Sequence, residues 1–226
     1  MSNFFTTLFS TPRQAVKVLL ALFITVLLIG MWVFINQQLT VSHAPSPTPL
    51  PMVDALLPEP KPLSAFQLTA HDGKPLDIAR LKDKWTLLFF GYTHCPDVCP
   101  TTLTELAHTV RLLEPAVLAE TQFVFVSVDP RRDSPASLAE YVTYFDDHFI
   151  GATGSIDNLA VLVRQLDSKF ALGTDLSGEQ IVNHSSAMLL IDPQVRYYAR
   201  LKAPHYSEEI QAQYLALRKR YQQSYD

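Results

Sequence analysis

The chain alternates apolar runs with short polar breaks, and the longest apolar run comes first. Residues 18–35 are 18 consecutive uncharged, mostly apolar positions, about the least that crosses a bilayer as a helix. Past residue 63 the runs shorten to strand and helix lengths. Residues 65–69 alternate in strand fashion and enter the turn His71-Asp72-Gly73-Lys74-Pro75, which predicts a short hairpin. Residues 85–92 and 122–129 are near-continuously apolar, as expected of neighbouring parallel strands buried on both faces. Between them, residues 101–113 carry apolar side chains at helical spacing. Ser134 as cap and Pro135 at the first position predict a helix to about Phe145, and another runs over 156–170 behind Gly154 and Ser155. Residues 187–191 and 196–201 flank Asp192-Pro193-Gln194-Val195 and read as a second hairpin. A closing helix over 207–221 sets Ile210, Tyr214, Leu217 and Tyr221 on one face. Strand, helix, strand, helix, then hairpin and helix predicts a mixed α/β sheet.

Charge orients the first run. Arg13 and Lys17 precede it and no charged residue follows until Asp54, so the positive-inside bias puts the N-terminus in the cytoplasm and the remainder outside. Residues 43–62 are dense in proline, a composition that favours an extended spacer. The expected layout is a cytoplasmic stretch at 1–17, a single transmembrane helix at 18–35, a Pro-rich linker at 36–62 and one domain at 63–226. That places the domain in the periplasm, tethered to a bacterial inner membrane. The rival is a signal peptide cleaved near Ser42-His43-Ala44, but the apolar run exceeds the usual 7 to 15 residues and ends well before that site. Taking Arg13 and Lys17 from the 18 basic residues leaves 16 against 22 acidic, which argues against nucleic acid as a partner. Neither a phosphate-cradling loop nor a dinucleotide fingerprint is present.

The chain has two cysteines, both in Gly91-Tyr92-Thr93-His94-Cys95-Pro96-Asp97-Val98-Cys99-Pro100, on the turn from a predicted strand into a predicted helix. A helix N-terminus favours thiolate over thiol. A four-residue step at a rise of ~1.5 Å leaves the two Cα atoms roughly 6 Å apart, which suits either a disulfide or a shared metal ion. An exported chain whose two cysteines lie this close points to a redox or metal pair more than to a disulfide scaffold. The position matches a thioredoxin-like fold, which carries its chemistry at a strand end.

In such a fold the loop entering the late hairpin lies beside the cysteine turn, and here it reads Val182-Asn183-His184-Ser185-Ser186. His184 is therefore expected to face the thiols. Two thiolates and one imidazole form a soft three-ligand set that suits Cu(I), whereas structural zinc takes four ligands. Asp129 closes the second central strand, where a carboxylate could take a proton from a thiol or orient a ligand, or else cap the following loop. His94 abuts Cys95 as a candidate spare ligand or charge neighbour. Arg131, Arg132 and Asp133 read as loop ion pairing, and His43, His71, His108, His148 and His205 as linker, turn or surface residues.

Taken together, the cysteine motif, Val128-Asp129-Pro130-Arg131-Arg132-Asp133-Ser134-Pro135, Asn183-His184-Ser185-Ser186 and Leu190-Ile191-Asp192-Pro193 resemble the Sco (SenC) family over about residues 63–222. The resemblance implies a thioredoxin-like fold and copper held by two cysteines and a histidine, carried over to Cys95, Cys99 and His184, with Asp129 as the acidic neighbour. It further implies one copper per chain, as Cu(I) with Cu(II) as a second state. The implied work is assembly of the dinuclear copper centre of cytochrome c oxidase. Its copper-bearing subunit is then the implied partner, and another periplasmic copper donor a second one. Two departures stand out: Asn183 replaces the Asp found before the ligand histidine in many relatives, and the turn at 192–195 lacks their glycine. The competing class is an enzyme, a tethered thiol-disulfide reductase using Cys95 and Cys99 alone. A peroxiredoxin-like peroxidase is remote, since its Pro-x-x-x-Thr-x-x-Cys pattern is not reproduced.

Overall fold

The computed structural model describes residues 12–40, 56–174, 180–184 and 186–225, and the chain divides into two compact units. The first holds helix α1 (Pro12–Thr40), whose segment Val16–Val33 is long and apolar enough to cross a membrane. Its side chains point outward, and its one mid-helix hydroxyl, Thr25 Oγ1, donates to the carbonyls of Ala21 and Leu22 at 3.0 and 2.8 Å. A polar group satisfied within its own helix is what a hydrocarbon surrounding demands. The expected cleavage site at 42–44 and the linker at 41–55 lie outside the described residues.

The second unit is built on three parallel strands, β4 (Trp85–Gly91), β5 (Thr121–Ser127) and β6 (Phe149–Thr153), with β4 paired to β5 and β5 to β6. On the β4 side the hairpin β9 (Met188–Ile191) and β10 (Arg196–Leu201) runs antiparallel, and the edge is β1 (Leu56–Pro62). On the β6 side lies the hairpin β2 (Gln67–Ala70) and β3 (Pro75–Asp77). The order across the sheet is β1-β10-β9-β4-β5-β6-β2-β3. A separate two-stranded ribbon pairs β7 (Phe170–Thr174) with β8 (Gln180–His184).

Alternation along the central strands sorts their side chains into two cores. Leu87 and Phe89 of β4 with Phe123 and Phe125 of β5 pack under α3 (Val98–Leu112), α5 (Pro135–Phe145) and α7 (Ser207–Tyr225). Leu88, Phe90, Val124 and Val126 face the other way, toward α6 (Ile156–Gln165) and the single turns of α2 (Ile78–Leu81). Each fully buried side chain of this size is worth about 1.5–3 kcal/mol, so both faces hold the strand ends rigidly in place. The helix α4 (Pro115–Ala119) joins α3 to β5. Ser134 caps α5 in a reciprocal box with Ser137, as its sequence position implies.

Several segments differ from expectation. The helix expected over 156–170 ends at Gln165, and Gln180–His184, whose end was expected as loop, pairs as a strand with Phe170–Thr174. Residues 56–62, expected within the Pro-rich linker, form an edge strand paired with β10, because an edge needs ladder donors on one side only and so tolerates Pro58, Pro60 and Pro62. The third parallel strand, β6, has no counterpart in the apolar pattern. It is only five residues long and holds Gly151, where a Cβ would lie 3.0 and 3.1 Å from Leu138 and Val142 of α5.

Candidate metal and thiol site

The site forms where β4 runs out. Gly91 ends the strand, Val128 N donates to the Gly91 carbonyl at 2.9 Å, and the chain turns through Tyr92 to Asp97 before α3 begins. Cys95 lies in this turn and is partly exposed, while Cys99, in the first turn of α3, is fully buried, and both carry thiols. Asp97 holds the N-cap position of α3 without a side-chain bond to the helix amides; instead Cys99 N donates to Cys95 Sγ at 3.4 Å. A sulfur thus occupies the acceptor role of a helix cap, where amide N–H groups and the helix dipole favour negative charge. The hydrogen bond shared with Cys95 raises the Cys99 pKa far above its ordinary value, and burial adds to the effect. The pair is asymmetric: Cys95 is the more exposed sulfur, and Cys99 holds its proton behind it.

Close packing fixes Cys99. A Cβ on Gly91 would sit 2.8 Å from Cys99 Sγ and 2.4 Å from Phe125 Cε2, so only glycine lets the sulfur rest on the strand end. Gly91→Ala is expected to cost about 1–3 kcal/mol by overpacking and to weaken metal binding at the same time. Denaturant unfolding, read beside a copper titration, checks both. Tyr141 of α5 packs tilted against Phe125 with ring centroids 5.5 Å apart, and its buried hydroxyl has no hydrogen-bond partner among the described residues. Burial raises the Tyr141 pKa, and the charges of Cys99, Cys95 and Asp133 push the same way.

The loop after β5 supplies two buried carboxylates with different duties. Asp129, the expected acid, base or orienting group, binds Arg132 through Oδ2, with Nε and Nη2 both at 2.5 Å, and its buried Oδ1 has no hydrogen-bond partner among the described residues. Arg132 in turn lies 5.7 Å over the Tyr92 ring. Asp133, read from sequence as loop ion pairing, instead clamps the approach to the cysteines. Its Oδ2 accepts from Thr93 N at 2.9 Å and Ser127 Oγ at 2.5 Å, and its Oδ1 accepts from Thr93 Oγ1 at 2.6 Å. Of the two carboxylates, Asp133 is the one whose charge acts on Cys99. The available signal was the Asp-Pro-x-x-Asp spacing, which brings a second carboxylate back over the strand ends. His94 lies with Nδ1 3.0 Å from Thr93 Oγ1 and 3.9 Å from Asp133 Oδ1, so its ring is engaged with the clamp.

His184 ends β8, its backbone paired opposite Phe170; its side chain lies outside the described residues. The fold brings its neighbours to the cysteines. Met188 pairs with Phe89, so the residues before Met188 run beside the continuation of β4 toward the cysteine turn. Ser186, two positions beyond His184, lines a groove of about 440 Å3 together with Asp97, Val98 and Thr101 of the cysteine segment. Among the described residues no third His, Cys, Asp or Glu completes a metal-holding group with Cys95 and Cys99. Other histidines do structural work: His71 Nδ1 accepts from Gly151 N at 2.9 Å, and His148 bonds Asp146 at 2.7 Å. His205, expected as a linker, turn or surface residue, is half-buried in the loop before α7 and bonds the Ser186 carbonyl, and burial lowers its pKa.

A thioredoxin-like sheet with its paired thiols at the head of the helix after the central strand defines a class of proteins. Within it, the SCO1/SenC family model matches residues 57–218, and the chain belongs to that family. The mouse mitochondrial protein SCO2 homolog is 38% identical over 143 residues, which are 61% of this chain and 56% of that one. The chain thus spans just over half the length of that relative. Among solved structures, Bradyrhizobium japonicum ScoI with copper bound superposes with a TM-score of 0.62 at 33% identity, covering 70% of this chain and 98% of that one. Arabidopsis thaliana ScoI with copper bound gives 0.65 at 30% identity, covering 70% and 98%.

Proposed function

We propose that this chain is a membrane-anchored copper-binding protein that helps to build the dinuclear copper centre of cytochrome c oxidase, with one copper ion held by Cys95, Cys99 and His184. The observation that carries the reading is the helix-capping Cys95 sulfur beside buried Cys99, with Ser186, two positions past His184, lining a groove together with Asp97, Val98 and Thr101 of the same helix entry. Two sulfurs and an imidazole nitrogen favour Cu(I), and copper is bound in the solved relatives from Bradyrhizobium and Arabidopsis. Arg13 and Lys17 at the start of α1 orient the helix with its N-terminus in the cytoplasm and the domain in the periplasm. The tether keeps donor and acceptor on one membrane and raises their effective concentration.

A second reading has its own observation. Cys95 is exposed enough to attack, and Cys99 stands behind it with its proton. In a reductase cycle the Cys95 thiolate attacks a target disulfide and expels one target thiolate. Cys99, losing its proton, then attacks the Cys95 sulfur and releases the second, leaving the chain oxidised and the target reduced by two electrons. His184→Ala separates the readings. Copper assembly predicts that this variant loses copper and fails to support oxidase assembly while still exchanging with a model disulfide. If the variant still supports normal oxidase activity at limiting copper, the reductase reading stands and the copper reading falls.

A further inference from the structure

We propose that His205 is a positioning residue, a latch that references Ser186, just past the strand end that carries His184, to the same helix that carries Cys99. The inference rests on reading His184 as a ligand. Its basis is a continuous polar path. Glu105 lies on α3 six positions past Cys99, and its Oε2 accepts from Ser207 N at 2.8 Å. Thr109, one turn further on, shares its Oγ1 hydrogen between the Glu105 carbonyl at 2.9 Å and the Ser207 carbonyl at 3.3 Å. The loop between β10 and α7 is therefore fastened to α3 at its far end. Two residues before Ser207, His205 Nε2 lies 2.8 Å from the Ser186 carbonyl oxygen. A carbonyl can only accept, so Nε2 carries the hydrogen and donates it.

Ser186 is a place where such a bond matters. Downstream, Met188 is fixed in the sheet by pairing with both Phe89 and Leu201. Upstream, His184 is two residues away, a span of at most about 7 Å, so Ser186 is the nearest described position past His184 at which its placement can be held. Ser186, His205 and Tyr206 line the same groove as Asp97, Val98 and Thr101, so the latch stands beside the helix entry that carries the cysteines. Asp133 holds the entry to the cysteine turn through Thr93, and His205 holds the exit from the histidine loop. Partners that orient metal ligands in this way are commonly worth 10–100-fold in metal affinity.

The test uses the reduced full-length chain in detergent, with His205→Ala and His205→Gln, because the Gln amide N–H reaches about as far as Nε2 and can renew the bond. Cu(I) affinity is read by competition with a colorimetric chelator, and amide hydrogen exchange of residues 180–190 is read on the copper-free protein. The expected result is an affinity about tenfold weaker in His205→Ala, restored to within about threefold of wild type in His205→Gln. Faster exchange in the Ala variant should be confined to 180–190. Wild-type affinity in His205→Ala, equal losses in both variants, or exchange that rises across the whole domain would each overturn the latch. A wild-type chain that holds no copper overturns the ligand reading on which the latch depends, and the exchange data then show whether the bond is structural only.

Discussion

Exchanging either Cys95 or Cys99 for serine is expected to lower the copper retained by the reduced chain from one ion per chain to near none. A hydroxyl is a poor ligand for Cu(I), and the loss leaves one sulfur and one nitrogen where three soft donors stood. The two variants should differ in their apo forms. Cys99→Ser removes a fully buried sulfur that rests against Gly91, so it should also lower stability; Cys95→Ser replaces a partly exposed atom and should leave the fold nearly intact. Copper binding should tighten as pH rises. The Cys99 pKa lies far above its ordinary value, so this thiol keeps its proton across the neutral range and ligation must expel it. The gain should approach tenfold in affinity per pH unit for each proton released, and potentiometric titration of proton release on copper addition checks it. Oxidation should act in the opposite sense. A Cys95–Cys99 disulfide removes both thiolates, and copper measured after mild oxidation should be lost in proportion to the bridge formed.

Asp133→Ala is expected to be the most destabilising single change at a position outside the ligands. The carboxylate accepts three hydrogen bonds from Thr93 and Ser127 in a fully buried place. Truncation leaves those donors without an acceptor, at about 1–3 kcal/mol for each group left unsatisfied. A total of roughly 3–5 kcal/mol is expected, or about 10 °C in Tm for a domain of this size. Asp133→Asn keeps the shape and one accepting oxygen and should cost less than half as much. Because Thr93 leads directly into the cysteine turn, copper affinity should fall with the clamp. Thermal unfolding of the two variants beside wild type reads the ladder, and an alanine variant as stable as wild type would remove the clamp from the account.

Much of this was written in the order of residues. The two central strands were legible because both faces of the sheet are covered, which forces unbroken apolar runs such as Trp85 to Phe90. The cap of α5 was legible because Ser134 and Pro135 suit one position on a helix and few others. Three features were not. The edge strand β1 hides among prolines that an interior strand could not tolerate. The strand β6 is too short and too glycine-dependent to show a period. Asp133 and His205 are polar residues whose partners, Thr93 and Ser186, lie 40 and 19 positions away. Nothing local distinguishes a buried clamp from a solvated loop charge, and only the folded chain reveals the acceptor or donor that makes the difference.

Copper K-edge X-ray absorption on the reduced full-length chain, with the metal counted per chain, tests the central claim most directly. One copper per chain is expected, with two sulfur scatterers and one nitrogen in its nearest shell, and loss of the nitrogen in His184→Ala. A shell of nitrogen and oxygen alone, or a reduced chain that retains no copper after gel filtration, would contradict it.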